Sequence, residues 1–131
     1  MQRSLMLRLG LGLTVTALVH AVVGPIWGQD FKTTLANPER PQNERALDAS
    51  RKPEEVLKFY GVKPGDKVAD IFAARGYYTA ILSHVVGPQG VVYSANPNAR
   101  PEWTDRYKKP QFANVRVIDG SLDAVALPQD G

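Results

Sequence analysis

Between Pro53 and Ile118 the apolar residues of this chain switch repeatedly between helical and extended spacing, and Gly or Pro stands at most of the switches. Pro53 is a favoured first helical residue, and Glu54 and Glu55 follow in the positively polarised first turn. Val56, Leu57 and Tyr60 lie at helical spacing, Phe59 widens the stripe, and Gly61 with Val62 supplies a C-terminal cap. The turn Lys63-Pro64-Gly65-Asp66 leads into a short strand, Lys67 to Phe72, and Ala73-Ala74-Arg75-Gly76 makes a tight connection. A second helix is predicted from Tyr77 to Val86, because Tyr78, Ile81, Leu82, Val85 and Val86 fill the template of one buried helical face. Gly87-Pro88 ends it, and Val91 to Ala95 reads as a second strand. Pro101 opens a third helix with Trp103 and Tyr107 four apart; Pro110 closes it, and Asn114 to Ile118 gives a third strand.

Helices alternating with strands predict an α/β fold, a Rossmann-like parallel sheet with right-handed crossover helices. Before Pro53 the pattern fades. From Gln29 to Arg51 the chain is polar and broken at Asn37-Pro38 and Arg40-Pro41, with at most a short helix over Asn43 to Ala49.

The first 28 residues differ from the rest. They hold no acid; Arg3 and Arg8 precede an apolar run from Leu9 to Val23, and Gly24, Pro25 and Gly28 follow. This is the layout of a secretory signal peptide, expected to be cleaved after Gly28, with Ala21 and Gly24 as alternatives. A spanning anchor needs about 20 apolar residues, and this run is shorter and interrupted by Gly10, Gly12 and His20. The predicted organisation is therefore a leader over 1–28, a polar segment over 29–51 and a cofactor-binding-type domain over 52–131, exported to the bacterial periplasm. Loss of Arg3 and Arg8 with the leader leaves 14 basic against 13 acidic residues, which is not the charge footprint of a nucleic-acid binder. The chain has no cysteine, so neither a disulfide nor thiolate chemistry is available. With one histidine, His84, outside the leader, no transition-metal site is expected, and His84 reads as a packing or surface residue.

In doubly wound sheets ligands lie beyond the carboxyl ends of the strands. That point falls at D-I-F-A-A-R-G-Y-Y-T, Asp70 to Thr79, where backbone amides at a helix start can hold an anion. The spacing is neither G-x-G-x-x-G nor a phosphate-binding P-loop. On these residues alone an ordinary strand-to-helix turn stays as open as a binding loop. Asp119 and Asp123 flank Gly120-Ser121 and read as solvated, and no nucleophile stands beside a base.

From about Arg45 to Pro128 the chain resembles the N-terminal half of class I S-adenosylmethionine-dependent methyltransferases, and more narrowly an exported bacterial group of predicted methyltransferases. The matching pieces, in order, are R-K-P-E-E-V-L-K-F-Y-G-V-K-P-G-D-K-V-A-D-I-F, G-Y-Y-T-A-I-L, V-G-P-Q-G-V-V-Y-S-A-N, N-V-R-V-I-D-G-S-L-D and A-L-P. The resemblance implies that Asp70 helps fix the amino group of the cofactor's methionine end. It implies that Ala73, Ala74, Arg75 and Gly76 form the loop around the cofactor. Asn96 then falls where the wider fold grips the ribose, and Ser121 near the adenine. Members close to this chain tend toward three glycines where Ala74, Arg75 and Gly76 stand, and a Cβ at positive φ costs about 1 kcal/mol. Arg75 is read as solvated, with the methionine carboxylate as its alternative partner. The family's sheet has seven strands and three are counted here, so a truncated domain is expected.

The leading expectation is thus the S-adenosylmethionine-binding portion of an exported methyltransferase. Its partner would be a small or unidentified methyl acceptor, with no nucleic acid and no stable membrane anchor. A non-catalytic exported binding or interaction domain with a degenerate loop comes second. A dinucleotide oxidoreductase comes last, because the glycine fingerprint and the acid after the second strand are both missing.

Overall fold

The computed structural model of the chain describes residues 31–121. The leader with its cleavage positions, Asp123 and the A-L-P stretch at 126–128 lie outside the described residues. Helices α1 (Phe31–Ala36), α2 (Gln42–Arg45), α3 (Asp48–Arg51) and α4 (Pro53–Tyr60) precede strand β1 (Lys67–Ile71). Helix α5 (Tyr77–Val86), strand β2 (Val91–Asn96) and helix α6 (Pro101–Thr104) follow, then two 3₁₀ turns (Asp105–Lys108 and Pro110–Phe112) and strand β3 (Val115–Asp119). Among these residues no helix is long and apolar enough to cross a membrane.

The three strands are parallel and lie in the order β1-β2-β3. Their register puts Val68, Val92 and Val115 in one row, where Val92 is fully buried. Ile81, Val85 and Val86 of α5 belong to the same core and are at most 1% exposed. α5 is buried more widely than one stripe, since Thr79, Ala80 and Ser83 are buried too and His84 faces solvent. The predicted cap of α4 forms: Gly61 takes φ +66, and the Val62 N–H donates to the Leu57 carbonyl at 3.2 Å.

Two expectations change. The stripe on α4 does not bury as a whole: Leu57 is buried, whereas Phe59 and Tyr60 are 84% and 73% exposed. The two rings meet edge to face, with centroids 5.4 Å apart. The segment before Pro53 is also not loose. Arg40 donates to both Asp48 carboxylate oxygens at 2.7 and 2.8 Å and to the Leu35 carbonyl at 2.8 Å, while Phe31 enters the core. α2 and α3 replace the single helix expected over Asn43 to Ala49, and Lys52 turns the chain into α4 at φ +46.

Candidate functional site

β1 ends at Ile71, one residue sooner than expected, because Phe72 adopts φ +59 and turns the chain out of the sheet. Left-handed φ on a bulky residue is uncommon and marks a constrained turn. Ala74 also lies at positive φ, +49, and Gly76 at +80, whereas Arg75 does not. The loop therefore has its glycine where α5 begins and carries a Cβ at one left-handed position.

Most of its amides are already bonded. Ala73 N–H donates to the Ala95 carbonyl at 3.2 Å, Gly76 N–H to the Ala73 carbonyl at 2.7 Å, and Ala74 N–H to Asn96 Oδ1 at 2.7 Å. From outside, Arg106 donates to the Arg75 carbonyl at 2.9 Å while gripping Glu44 at 2.5 and 3.3 Å. Tyr107 packs on Gly76 so closely that a Cβ there would lie 1.7 Å from the phenol oxygen.

Asp70 points toward α5. Its carboxylate accepts the Thr79 hydroxyl at 2.6 Å, and Ser94 Oγ lies 3.3 Å from that hydroxyl. Burial pushes the Asp70 carboxyl above its ordinary pKa, opposed by the Thr79 hydroxyl and N–H and by the charge of Arg51. Among the described residues no cation forms an ion pair with it.

Asn96 is buried, 3% exposed; its Oδ1 holds Ala74, and its Nδ2 has no partner among the described residues. Here the structure gives Asn96 a task the sequence did not reveal, which is to latch the loop. Asp119, beside it in register, accepts the Ala99 N–H at 2.9 Å. Ser121 lies exposed just past β3, and Arg75 is exposed and stacks on no described ring.

The expected site residues border three clefts, and Arg75 alone of them lines the one of about 550 Å³ with Glu44, Trp103 and Arg106. Asp70 lines one of about 620 Å³ with Val56, Tyr60, Val68, Ile71 and Tyr78. Ala73, Ala74 and Arg75 line another of about 280 Å³ with Leu47, Arg51 and Trp103. Arg51 was not singled out from the sequence. No pattern marks it, because its surroundings come from α5, far along the chain.

No protein-family model matches the sequence. The chain is 29% identical over 79 residues to a demethylmenaquinone methyltransferase of Geobacillus sp. strain WCH70, covering 59% of this chain and 34% of that protein. It is 33% identical over 61 residues to a protein-L-isoaspartate O-methyltransferase of Ignicoccus hospitalis, covering 45% and 29%. A solved structure of a SAM-dependent methyltransferase from Aquifex aeolicus superposes with a TM-score of 0.54 at 31% identity, over 66% of this chain and 50% of that one. The chain thus spans about a third of the length of the curated relatives it matches. Its relatives are methyltransferases, and its parallel sheet with flanking helices is that of the class I fold.

Proposed function

We propose that the chain supplies the S-adenosylmethionine-binding part of a methyltransferase that works outside the cytoplasm. The observation that carries this reading is Asp70, a carboxylate withdrawn from water at the carboxyl end of β1 with no cation paired to it. A group placed so is completed by a ligand ammonium, and the methionine end of the cofactor carries one. The residues present fit that end. Thr79 orients the carboxylate, and the Asn96 and Arg106 bonds hold Ala74 and Arg75 in a fixed loop beside it. When bound, the cofactor would supply an electrophilic methyl group on a sulfonium. What the protein then contributes is chiefly alignment, so no base is required of this chain.

The lines of support differ in kind. Relatives that are methyltransferases support the activity, and the acid-free leader with Arg3 and Arg8 supports export and cleavage near Gly28. Protein recovered from the periplasm should begin 21 to 28 residues in, by N-terminal sequencing; intact Met1 on cytoplasmic protein would count against export.

A second reading has its own observation. The Ala73, Ala74 and Gly76 amides are all bonded within the protein, which suits an exported binding domain that has given up the cofactor. Calorimetry with S-adenosylhomocysteine separates the two. The full chain should bind it, and Asp70→Asn should weaken binding about tenfold. Affinity should fall as pH drops through the Asp70 pKa, because only the ionised acid pairs with an ammonium. Since that pKa is raised, the loss should begin above the usual carboxylate range. A folded parent chain that binds nothing would establish the second reading instead.

A further inference from the structure

Near the cofactor loop lies an arginine that two tyrosines fix and that has no counterion among the described residues. Arg51 is the last residue of α3, and its guanidinium stands 4.7 Å from the centre of the Tyr77 ring. Its carbonyl accepts the Tyr78 hydroxyl at 2.8 Å, so both residues of the first turn of α5 hold it. The Tyr77 ring is itself anchored, since its hydroxyl donates to Asp48 at 2.6 Å and Asp48 is gripped by Arg40. Arg40 and Arg106 are spent on Asp48 and Glu44. Arg51 is exposed, forms no ion pair among the described residues, and lines the cleft that Ala73 and Ala74 also line.

We infer that Arg51 binds the carboxylate of the cofactor's amino-acid end while Asp70 takes its ammonium; this rests on the cofactor reading above. An α-amino acid head presents opposite charges two bonds apart. It calls for an anion and a cation that are neighbours without being spent on one another. Asp70 and Arg51 flank Tyr78, which lines the cleft of Asp70 and donates its hydroxyl to the Arg51 carbonyl. The Arg51 charge pulls the Asp70 carboxyl down against its burial, and it acts likewise on the Tyr78 phenol, which burial and then the Asp70 charge push up. The guanidinium plane also suits a carboxylate, which it can meet with two parallel N–H bonds. Arg75, the alternative partner, has no aromatic platform among the described residues.

Two probes differ in the group at issue. S-adenosylhomocysteine carries the amino-acid end and 5′-methylthioadenosine lacks it. On the full chain, Arg51→Met should weaken S-adenosylhomocysteine about tenfold and leave 5′-methylthioadenosine unchanged, which also shows that the variant is folded. Arg51→Lys should recover part of the loss, and Arg75→Met should lose little for either probe. Equal losses for both probes on Arg51→Met would make Arg51 merely structural and overturn the inference. So would no loss for either, or a selective loss on Arg75→Met instead. A parent chain that binds neither probe would overturn the cofactor reading and this inference with it.

Discussion

At Gly76 two independent constraints meet on one residue. Its φ of +80 disfavours any side chain, and the space a Cβ would need is taken by the Tyr107 phenol, 1.7 Å away. Gly76→Ala should therefore destabilise by about 2–4 kcal/mol, the sum of left-handed strain and overpacking. The two parts can be separated. Tyr107 Oη is buried without a hydrogen-bond partner among the described residues, so Tyr107→Phe should cost little alone and should return part of the loss in the double variant. Denaturant melts of the four chains measure this, and strictly additive losses would mean that Tyr107 does not set the glycine. Ala74 is the milder case. Its φ of +49 makes Ala74→Gly close to neutral, with relief of strain offset by greater freedom of the unfolded chain. Arg75 is not at positive φ, so of the two glycines that the family resemblance suggests, at Ala74 and Arg75, only the one at Ala74 meets a left-handed position.

Among the elements, those with local causes were legible in the sequence and those with distant causes were not. α4, α5 and the three strands are announced by apolar period and by Gly and Pro, and their observed bounds differ from expectation by a residue or so. α1 to α3 have no such period. They are held by Arg40 on Asp48, 8 residues apart, and by Tyr77 on Asp48 and Arg106 on Glu44, 29 and 62 residues apart, and no helix-length window contains both partners of the last two pairs. The candidate site divides in the same way. Asp70 follows from the rule about strand ends, whereas the Asn96 latch and the Arg51 platform depend on which side chains α5 and β2 bring together. Asp48 is the joint of the N-terminal elements, and Asp48→Ala would leave the Arg40 guanidinium, 7% exposed, without its carboxylate. The expected cost is about 2–3 kcal/mol, discounted because Asp48 itself is 24% exposed. The pH dependence has a definite sign. The Arg40 bonds, then the Tyr77 hydroxyl, hold the Asp48 carboxyl below its ordinary pKa, so this stability is present at neutral pH and is lost as pH falls through the lowered value. A variant that melts within about 0.5 kcal/mol of the parent would remove Asp48 from this role.

For the whole molecule, the asymmetry of the sheet matters most. β3, at one edge, pairs only with β2 among the described residues, but its polar side chains are bonded back to the chain, Arg116 donating to the Ala113 carbonyl at 2.7 Å and Asp119 accepting from the Ala99 N–H. β1, at the other edge, pairs only with β2 among the described residues, and its outward row of Lys67, Ala69 and Ile71 is exposed. Phe72, 61% exposed, follows Ile71 directly, and Tyr60, 73% exposed, lines a cleft with Ile71. An unpaired strand edge bordered by aromatic rings invites pairing with another chain, and monomeric proteins rarely leave such a surface open. The chain should accordingly self-associate as its concentration rises. Ile71→Lys places a second charge on that row and should shift association to several-fold higher concentration, in the way natural edge strands are protected. Val117, 43% exposed on β3, gives the comparison, since Val117→Lys adds the same charge at the edge that is already polar and should change association little. Sedimentation velocity over a hundredfold range of concentration measures all three chains. A parent that stays monomeric throughout would show that the β1 edge is covered. Equal effects of the two lysines would assign any association to net charge rather than to the open side of the sheet.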